Sequence, residues 1–326
     1  MSLCSIRGVV GGIALLMSLV ANAQSDYPNK TVTLVVPFAA GGTTDIVARI
    51  VADKLSKELG QAVVVDNRGG GGGSIGTGMV AKAAPDGYTL GVSTFSTHAV
   101  LPACNPKLAY HPVKDFKAIT NMARVPNVLT VNPKFPAQDF AQYLAHVKQN
   151  PDKLSYATSG QCSIQQMVGE QFQLATGTKI LHVPYRGAGP ALNDLLGGSV
   201  DMMFDNLPSS MSHIQSNRLK ALAVAWPKRV DGLPNVPTFA ELGLPAVNDS
   251  VWYGLVAPAG TPDAIVKRLH EATVKVLAMP DLQERFRKSG AEPVGNQPAE
   301  HAAEIASEMK KMADLVKRQN IQFDGS

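Results

Sequence analysis

The chain has 326 residues, 45% of them hydrophobic and 17% charged, with a formal net charge of +4. Such a chain can bury two cores, and it lacks the basic blocks of a nucleic-acid binder. Three cysteines do not make a disulfide framework. The histidines His98, His111, His146, His182, His213, His270 and His301 show no metal-ligand spacing, so neither a metal nor a cofactor is expected.

The opening stretch MSLCSIRGVVGGIALLMSLVANAQS has one basic residue, Arg7, an apolar run from Val9 to Val20, and the small triplet Ala21-Asn22-Ala23. This layout predicts a secretory signal peptide over 1–23, cleaved after Ala23, and an exported soluble protein. The apolar run is too short to cross a bilayer, which needs roughly 20 residues. Losing Arg7 lowers the net charge from +4 to +3, and only Cys104 and Cys162 remain. An oxidising compartment allows those two to pair; the sequence leaves the disulfide open.

Apolar, β-rich runs follow at Val32–Val36, Ala62–Asp66 and Tyr88–Ser93. Between the first two, Ile46, Ile50, Val51 and Leu55 recur at helical spacing over Asp45–Leu59, and Gly60 offers a stop. A glycine run, a short helix over Ile75–Ala83 and the turn APDGY fill the next interval. After His111–Phe116 the rhythm restarts. VLTVNP, KLSYATSG, ILHVPY, VDMMFDN and LKALAVA read as strands, separated by helices over Ala137–Gln149, Ile164–Thr176 and Gly189–Leu196. A proline-rich segment then leads to the strand VWYGLVAP and to helices near Pro262–Ala278, Asp281–Ser289 and Pro298–Gln319. Alternation of strand and helix predicts two α/β lobes, each a mostly parallel sheet flanked by helices. The expected division is 24–123 plus about 226–326 for the first lobe and about 124–225 for the second.

In open α/β sheets ligands sit beyond the carboxyl ends of the strands. Here those ends read PFAAGGTTD, DNRGGGGGSIGTG, VSTFSTH, YATSGQCS, VPYRGAGP and MFDNLPSS. Small residues let backbone N–H groups approach an anion, and a following helix start adds its positive dipole end. The glycine run satisfies G-x-G-x-x-G over Gly71–Gly76, but the acidic ribose partner is missing and no Walker lysine follows. The same run holds Gly72-Gly73-Ser74-Ile75-Gly76, a formal nucleophile elbow, so an exported α/β-hydrolase using Ser74 is one alternative. Asp45, in the first turn of its helix, reads as a dipole partner paired with Arg49 rather than as a catalyst.

These stretches resemble the periplasmic solute receptors of tripartite tricarboxylate transporters, the Bordetella uptake gene (Bug) receptors. The likeness runs in order through VVPFAAGGTTDIVARIVADKLSKELGQAVVVDNRGGGGGSIGTGMVAKAAPDGYTL, HVPYRGAGPALNDLLGGSVDMMFDN, LKALAVAWPKRVDGLPNVPTFAELG and WYGLVAPAGTP. It implies a type II-like, two-lobed Venus flytrap in the periplasm, not an enzyme, that closes as a monomer on a small carboxylate. The partner it implies is a two-subunit membrane transporter; a two-component sensor kinase is the alternative partner. Carried over by position, the resemblance implicates Phe38, Ala40, Gly41 and Gly42, then Gly72, Gly73 and Ser74, then Ser93 and Thr94. From the second lobe it implicates Thr158, Ser159 and Ser163, Gly187 and Ala188, and Asp205. One departure stands out. Where the family has a small-residue turn and then a histidine, this chain reads SGQCSIQQ, with Gln161 and Cys162 in the turn and Gln166 near the histidine position.

Overall fold

The structure is a computed structural model describing residues 27–319. The expected signal segment 1–23 lies outside the described residues. Two sheets form the frame. The first begins with β1 (Val32–Val36), β2 (Val63–Asn67) and β3 (Thr89–Thr94), which are parallel to one another where they pair. Helix α1 (Thr43–Leu59) crosses from β1 to β2 and buries Val47, Ile50, Val51 and Leu55 against the sheet; it stops at Gly60. Helix α2 (Ser74–Ala81) makes the next crossover.

After β3 the chain takes a wide π-type turn, Ser96–Val100, into the short α3 (Leu101–Cys104). Strand β4 (Phe116–Val125) then enters the first sheet antiparallel to β10 (Val251–Pro258). The second sheet contains β5 (Asn127–Val131), β6 (Ser155–Thr158), β7 (Leu181–Pro184), β8 (Met202–Asn206) and β9 (Lys220–Ala225), in the order β7-β6-β8-β5-β9. Its helices are α4 (Phe140–Gln149), α5 (Ile164–Thr176), α6 (Ala188–Gly197) and α7 (Leu207–Gln215). Helices α8 (Asp263–Leu277), α9 (Pro280–Ser289) and α10 (Pro298–Gln319) and the short edge strand β11 (Glu292–Pro293) return to the first lobe.

Both sheets are mixed, not mostly parallel. The reason is the hinge: β4 leaves the first lobe and β10 comes back into it between β3 and β4, running against both. In the second sheet β5 is antiparallel to both β8 and β9. The first crossing between lobes falls at Pro126, between Val125 and Asn127, rather than at 124. The second comes later than residue 226. Val224 exchanges backbone bonds with Pro237 and Phe239, and the Phe239 ring packs on Phe140 and Phe172, so this proline-rich segment covers the second lobe before Val251 turns back. Val251 pairs with Val125 and Asn127 with Ala225, which sets the two crossings side by side as a hinge. Among the described residues no helix is long and apolar enough to cross a membrane.

Candidate functional site

Between the lobes lies a small cavity whose free volume, about 10 Å³, is room for about one water in this closed form. The first lobe lines it with Phe38, Gly42, Thr43, Thr44, Thr94, Ser96 and Tyr253. The turn from β1 into α1 is held from below by Asp45. Its carboxylate accepts from Gly41 N (3.1 Å), Arg49 Nε (2.9 Å) and Asn67 Nδ2 (3.0 Å), and Asn67 Nδ2 also donates to the Phe38 carbonyl. Burial alone would raise this carboxyl, but the bonds from Arg49, Gly41 and Asn67 outweigh it and hold the group below its ordinary value. The first bond inside α1 runs from Ile46 N to the Gly42 carbonyl. The preceding amides of Thr43, Thr44 and Asp45 therefore have no helical acceptor and form a positive helix end at the cavity.

The second lobe contributes Ser159, Gln165, Ala188 and Asn206. Here the polar groups form one directed chain. Ser159 Oγ donates to Gln165 Oε1 (2.8 Å), Gln165 Nε2 to Asn206 Oδ1 (2.6 Å), Asn206 Nδ2 to Asn127 Oδ1 (2.6 Å), and Asn127 Nδ2 to the Asp249 carbonyl (2.9 Å). The chain thus ties the cavity wall to the hinge. Helix α6 starts at Ala188 beside Gly42 and brings a second helix start to the same cavity. No acidic or basic side chain lines it.

The lobes are closed on one another. Tyr253 Oη donates to Asn206 Oδ1 (2.7 Å), Thr43 Oγ1 meets Ser209 Oγ (2.8 Å), Ile164 N donates to Ser96 Oγ (3.0 Å), and Ala39 N donates to the Arg186 carbonyl (3.1 Å). At Gly189 the fit is close enough that a Cβ would overlap the Ala40 carbonyl oxygen of the other lobe.

Of the expected ligand residues, Phe38, Gly42, Thr94, Ser159 and Ala188 come together around this cavity. The others do not line it. Ala40 and Gly41 are exposed at the rim, and the Gly41 N–H is already engaged by Asp45. Gly72 faces an outer groove where it meets the Gln161 carbonyl, and Gly73 packs under the Phe38 ring. Gly187 caps α6, Ser163 caps α5 by accepting from Gln166 N, and Thr158 Oγ1 bonds His182 Nε2. Asp205 lies fully buried behind the wall, accepting from Ser209 and Ser210 through Oδ2, with Oδ1 unpartnered. Burial pushes its carboxyl up to about 6 despite the serine hydrogen bonds that oppose the shift.

Ser74 opens α2. A Ser–His–Glu chain exists elsewhere: Ser93 Oγ to His301 Nε2 (3.3 Å) and His301 Nδ1 to Glu304 Oε2 (3.1 Å). Both Ser93 and His301 are fully buried, so this chain fastens α10 to β3 and meets no substrate; it also removes Ser93 from the cavity. Thr43, Thr44, Ser96, Gln165, Asn206 and Tyr253 were not singled out from sequence. Four of them, Thr43, Thr44, Ser96 and Asn206, sit in strand-to-helix junctions that were, and Gln165 lies two residues past one. Tyr253 was hidden because β10 is antiparallel, so its amino end points at the cleft.

A family model described as the tripartite tricarboxylate transporter family receptor matches residues 47–321. The chain belongs to this receptor family. BugT of Bordetella pertussis is 37% identical over 319 residues, spanning 97% of this chain and 98% of its own. An Agrobacterium vitis UPF0065 protein is 40% identical over 311 residues, 93% of this chain and 88% of its own. Among solved structures, one described as a periplasmic transporter shares 52% identity at a TM-score of 0.90, covering 91% of this chain and 99% of that one. An R. palustris protein solved with adipate shares 37% at a TM-score of 0.88, with the same coverage. MatC from Rhodopseudomonas palustris, solved with malate, shares 36% at 0.85, covering 89% and 100%. The receptor has the two-lobed α/β fold of periplasmic binding proteins, and its family is one of solute receptors rather than enzymes.

Proposed function

We propose that the cavity, widened as the lobes part, holds a small aliphatic carboxylate in the range from malate to adipate, and that the receptor, closed around it, presents it in the periplasm to a two-subunit membrane transporter. One observation carries the reading: two helix starts, at Thr43 and Ala188, meet hydroxyls and amides in an enclosed space with no charged side chain. An anion taken from water recovers its hydrogen bonds there from Thr44, the second Gln165 Nε2 hydrogen, backbone amides, and Ser159 once its hydroxyl turns from Gln165 Oε1. Charge-assisted bonds contribute roughly 1.5–3 kcal/mol each, so a handful reach the roughly 8 kcal/mol of micromolar binding. Phe38 supplies an apolar wall for the methylenes. Because both lobes line the cavity, the ligand stabilises the closed state over the open one. The absence of a fixed cation favours a ligand recognised by geometry over one recognised by charge alone.

Titration calorimetry with malate, adipate, citrate, glutamate and nicotinate tests this. At least one aliphatic dicarboxylate is expected to bind, and Ser159→Ala to weaken it by several-fold. Equal binding by wild type and Ser159→Ala would move the ligand out of this cavity, and binding of none would remove the carboxylate reading.

A further inference from the structure

Cys104 and Cys162 are joined by a disulfide with a Cα separation of 6.2 Å. The two residues belong to different lobes. Cys104 ends α3, beyond β3 of the first sheet, and Cys162 lies in the turn between β6 and α5 of the second. We infer that this bond is a redox-sensitive latch across the ligand cleft, holding the receptor closed when oxidised and freeing ligand exchange when reduced.

The argument is one of levers. The polypeptide already joins the lobes at the hinge, where β4 meets β5 and where the chain returns to β10. A covalent tie on the hinge line would change nothing. This one is displaced from it: in the second sheet β6 is separated from the hinge strand β5 by β8. Two strand spacings put it about 10 Å away. Opening about the hinge must carry the carboxyl end of β6 away from the first lobe, and the bond forbids that beyond the slack in its side chains. Around it stand further contacts that bridge the lobes: Ile164 N on Ser96 Oγ, and Gly72 against the Gln161 carbonyl.

The turn is shaped to present this thiol. Cys162 has φ 57°, a left-handed conformation that residues with a side chain rarely adopt. Its N–H donates to Gln166 Oε1 at 2.7 Å, so Gln166 folds back to hold the turn in that geometry. Both cysteines are buried, 6% exposed each, as the closed lobes cover them. Opening the latch takes two electrons and two protons from a dithiol: the S–S bond breaks, two S–H bonds form, and the dithiol closes to its own disulfide.

This inference rests on the proposed carboxylate site only for its consequence, so the test separates the two. Oxidised protein, the same protein reduced with dithiothreitol, and Cys104→Ser/Cys162→Ser are compared without ligand by small-angle scattering and by hydrogen exchange at the Ile164 amide. The oxidised form is expected to be the most compact and the slowest to exchange at Ile164, with the reduced and double-serine forms alike. Malate and adipate release, measured by stopped flow, is expected to be about tenfold slower from the oxidised form, because closure acts on the exit rate. Identical scattering and Ile164 exchange in oxidised and reduced protein would overturn the latch, whether or not either acid binds. Reduction of the wild type makes the comparison even should the double variant misfold.

Discussion

Asp45 and Asp205 are both buried aspartates at strand-to-helix junctions, one behind each face of the cleft, and their surroundings are opposite. Asp45 is ionised, gripped by Arg49, Asn67 and the Gly41 N–H, and so fixes the first loop whether or not the lobes meet. Asp205 has no cation; Ser209 and Ser210 satisfy one oxygen, and Ser209 reaches Thr43 only when the lobes close. The first face is therefore set in advance by a charge, and the second is completed by closure through neutral groups. Asn206 tells the same story, since one of the two donors to its Oδ1, Tyr253, comes from the other lobe. A receptor built this way needs only one rigid jaw, against which the other forms its hydrogen bonds.

The sharpest way to break the contrast is to keep both jaws and stop them meeting. Gly189→Ala puts a methyl into the Ala40 carbonyl while leaving α6 a better helix former. Malate and adipate binding should fall by more than about a hundredfold by calorimetry, nearly 3 kcal/mol, with the unfolding midpoint of the ligand-free protein essentially unchanged. Retained affinity would mean that the closed contact at Gly189 is not needed to hold a ligand.

The second jaw's acid is next. With a folded-state value of about 6 against an ordinary 3.8, Asp205 keeps a proton in the folded protein that the unfolded chain has released. Its contribution is thus fully present below about pH 4, is lost as pH rises through about 6, and is then flat. In Asp205→Asn this decline should vanish, so that the wild-type-minus-variant stability difference drops by roughly 2–3 kcal/mol across that interval. Urea unfolding at pH 4, 5, 6 and 7 reads it; parallel curves for the two proteins would show that the carboxyl titrates as an exposed one.

Gln165→Leu then cuts the amide chain. It leaves the Ser159 hydroxyl without its acceptor and takes one of two donors from Asn206, at a cost of about 1–3 kcal/mol in stability. Ligand affinity should fall by about tenfold in calorimetry, because the Gln165 Nε2 donor is lost from the cavity wall; an unchanged affinity would reduce Gln165 to a structural prop.

How much of this could be read from the chain follows from where each residue sits. Helical periodicity located α1 and α5 nearly to the residue, because one face of each is buried against a sheet and the other is wet. It missed β4, whose apolar and polar residues are nearly all buried at the hinge and so show no alternation. It also missed α7, where LPSS reads as a loop although Pro208 suits a helix start. At the site, glycine-rich turns were legible as places where backbone approaches something. What they approach was not: Gly41 turned out to serve Asp45, and Gly72 and Gly189 serve the other lobe. Side chains delivered by an antiparallel strand, such as Tyr253, carry no mark in a pattern that looks to the carboxyl ends of strands.

The smallest effect should come from the rigid jaw's charge. In Asp45→Asn the amide oxygen can still accept from Gly41 N, while the ion pair to Arg49 and the bond from Asn67 Nδ2 are lost. Arg49 is about half exposed, at 52%, so solvent screens that pair and its worth stays below about 1 kcal/mol. Its pH dependence has the opposite sign to that of Asp205. A carboxyl held below its ordinary value contributes stability above that value and loses it as pH falls through the folded one, so the wild-type advantage over Asp45→Asn should fade below about pH 4. Asp45→Asn and Asp205→Asn, unfolded side by side from pH 3 to 7, should therefore diverge from wild type at opposite ends of the range. If both diverge at the same end, the two jaws are not held by different means.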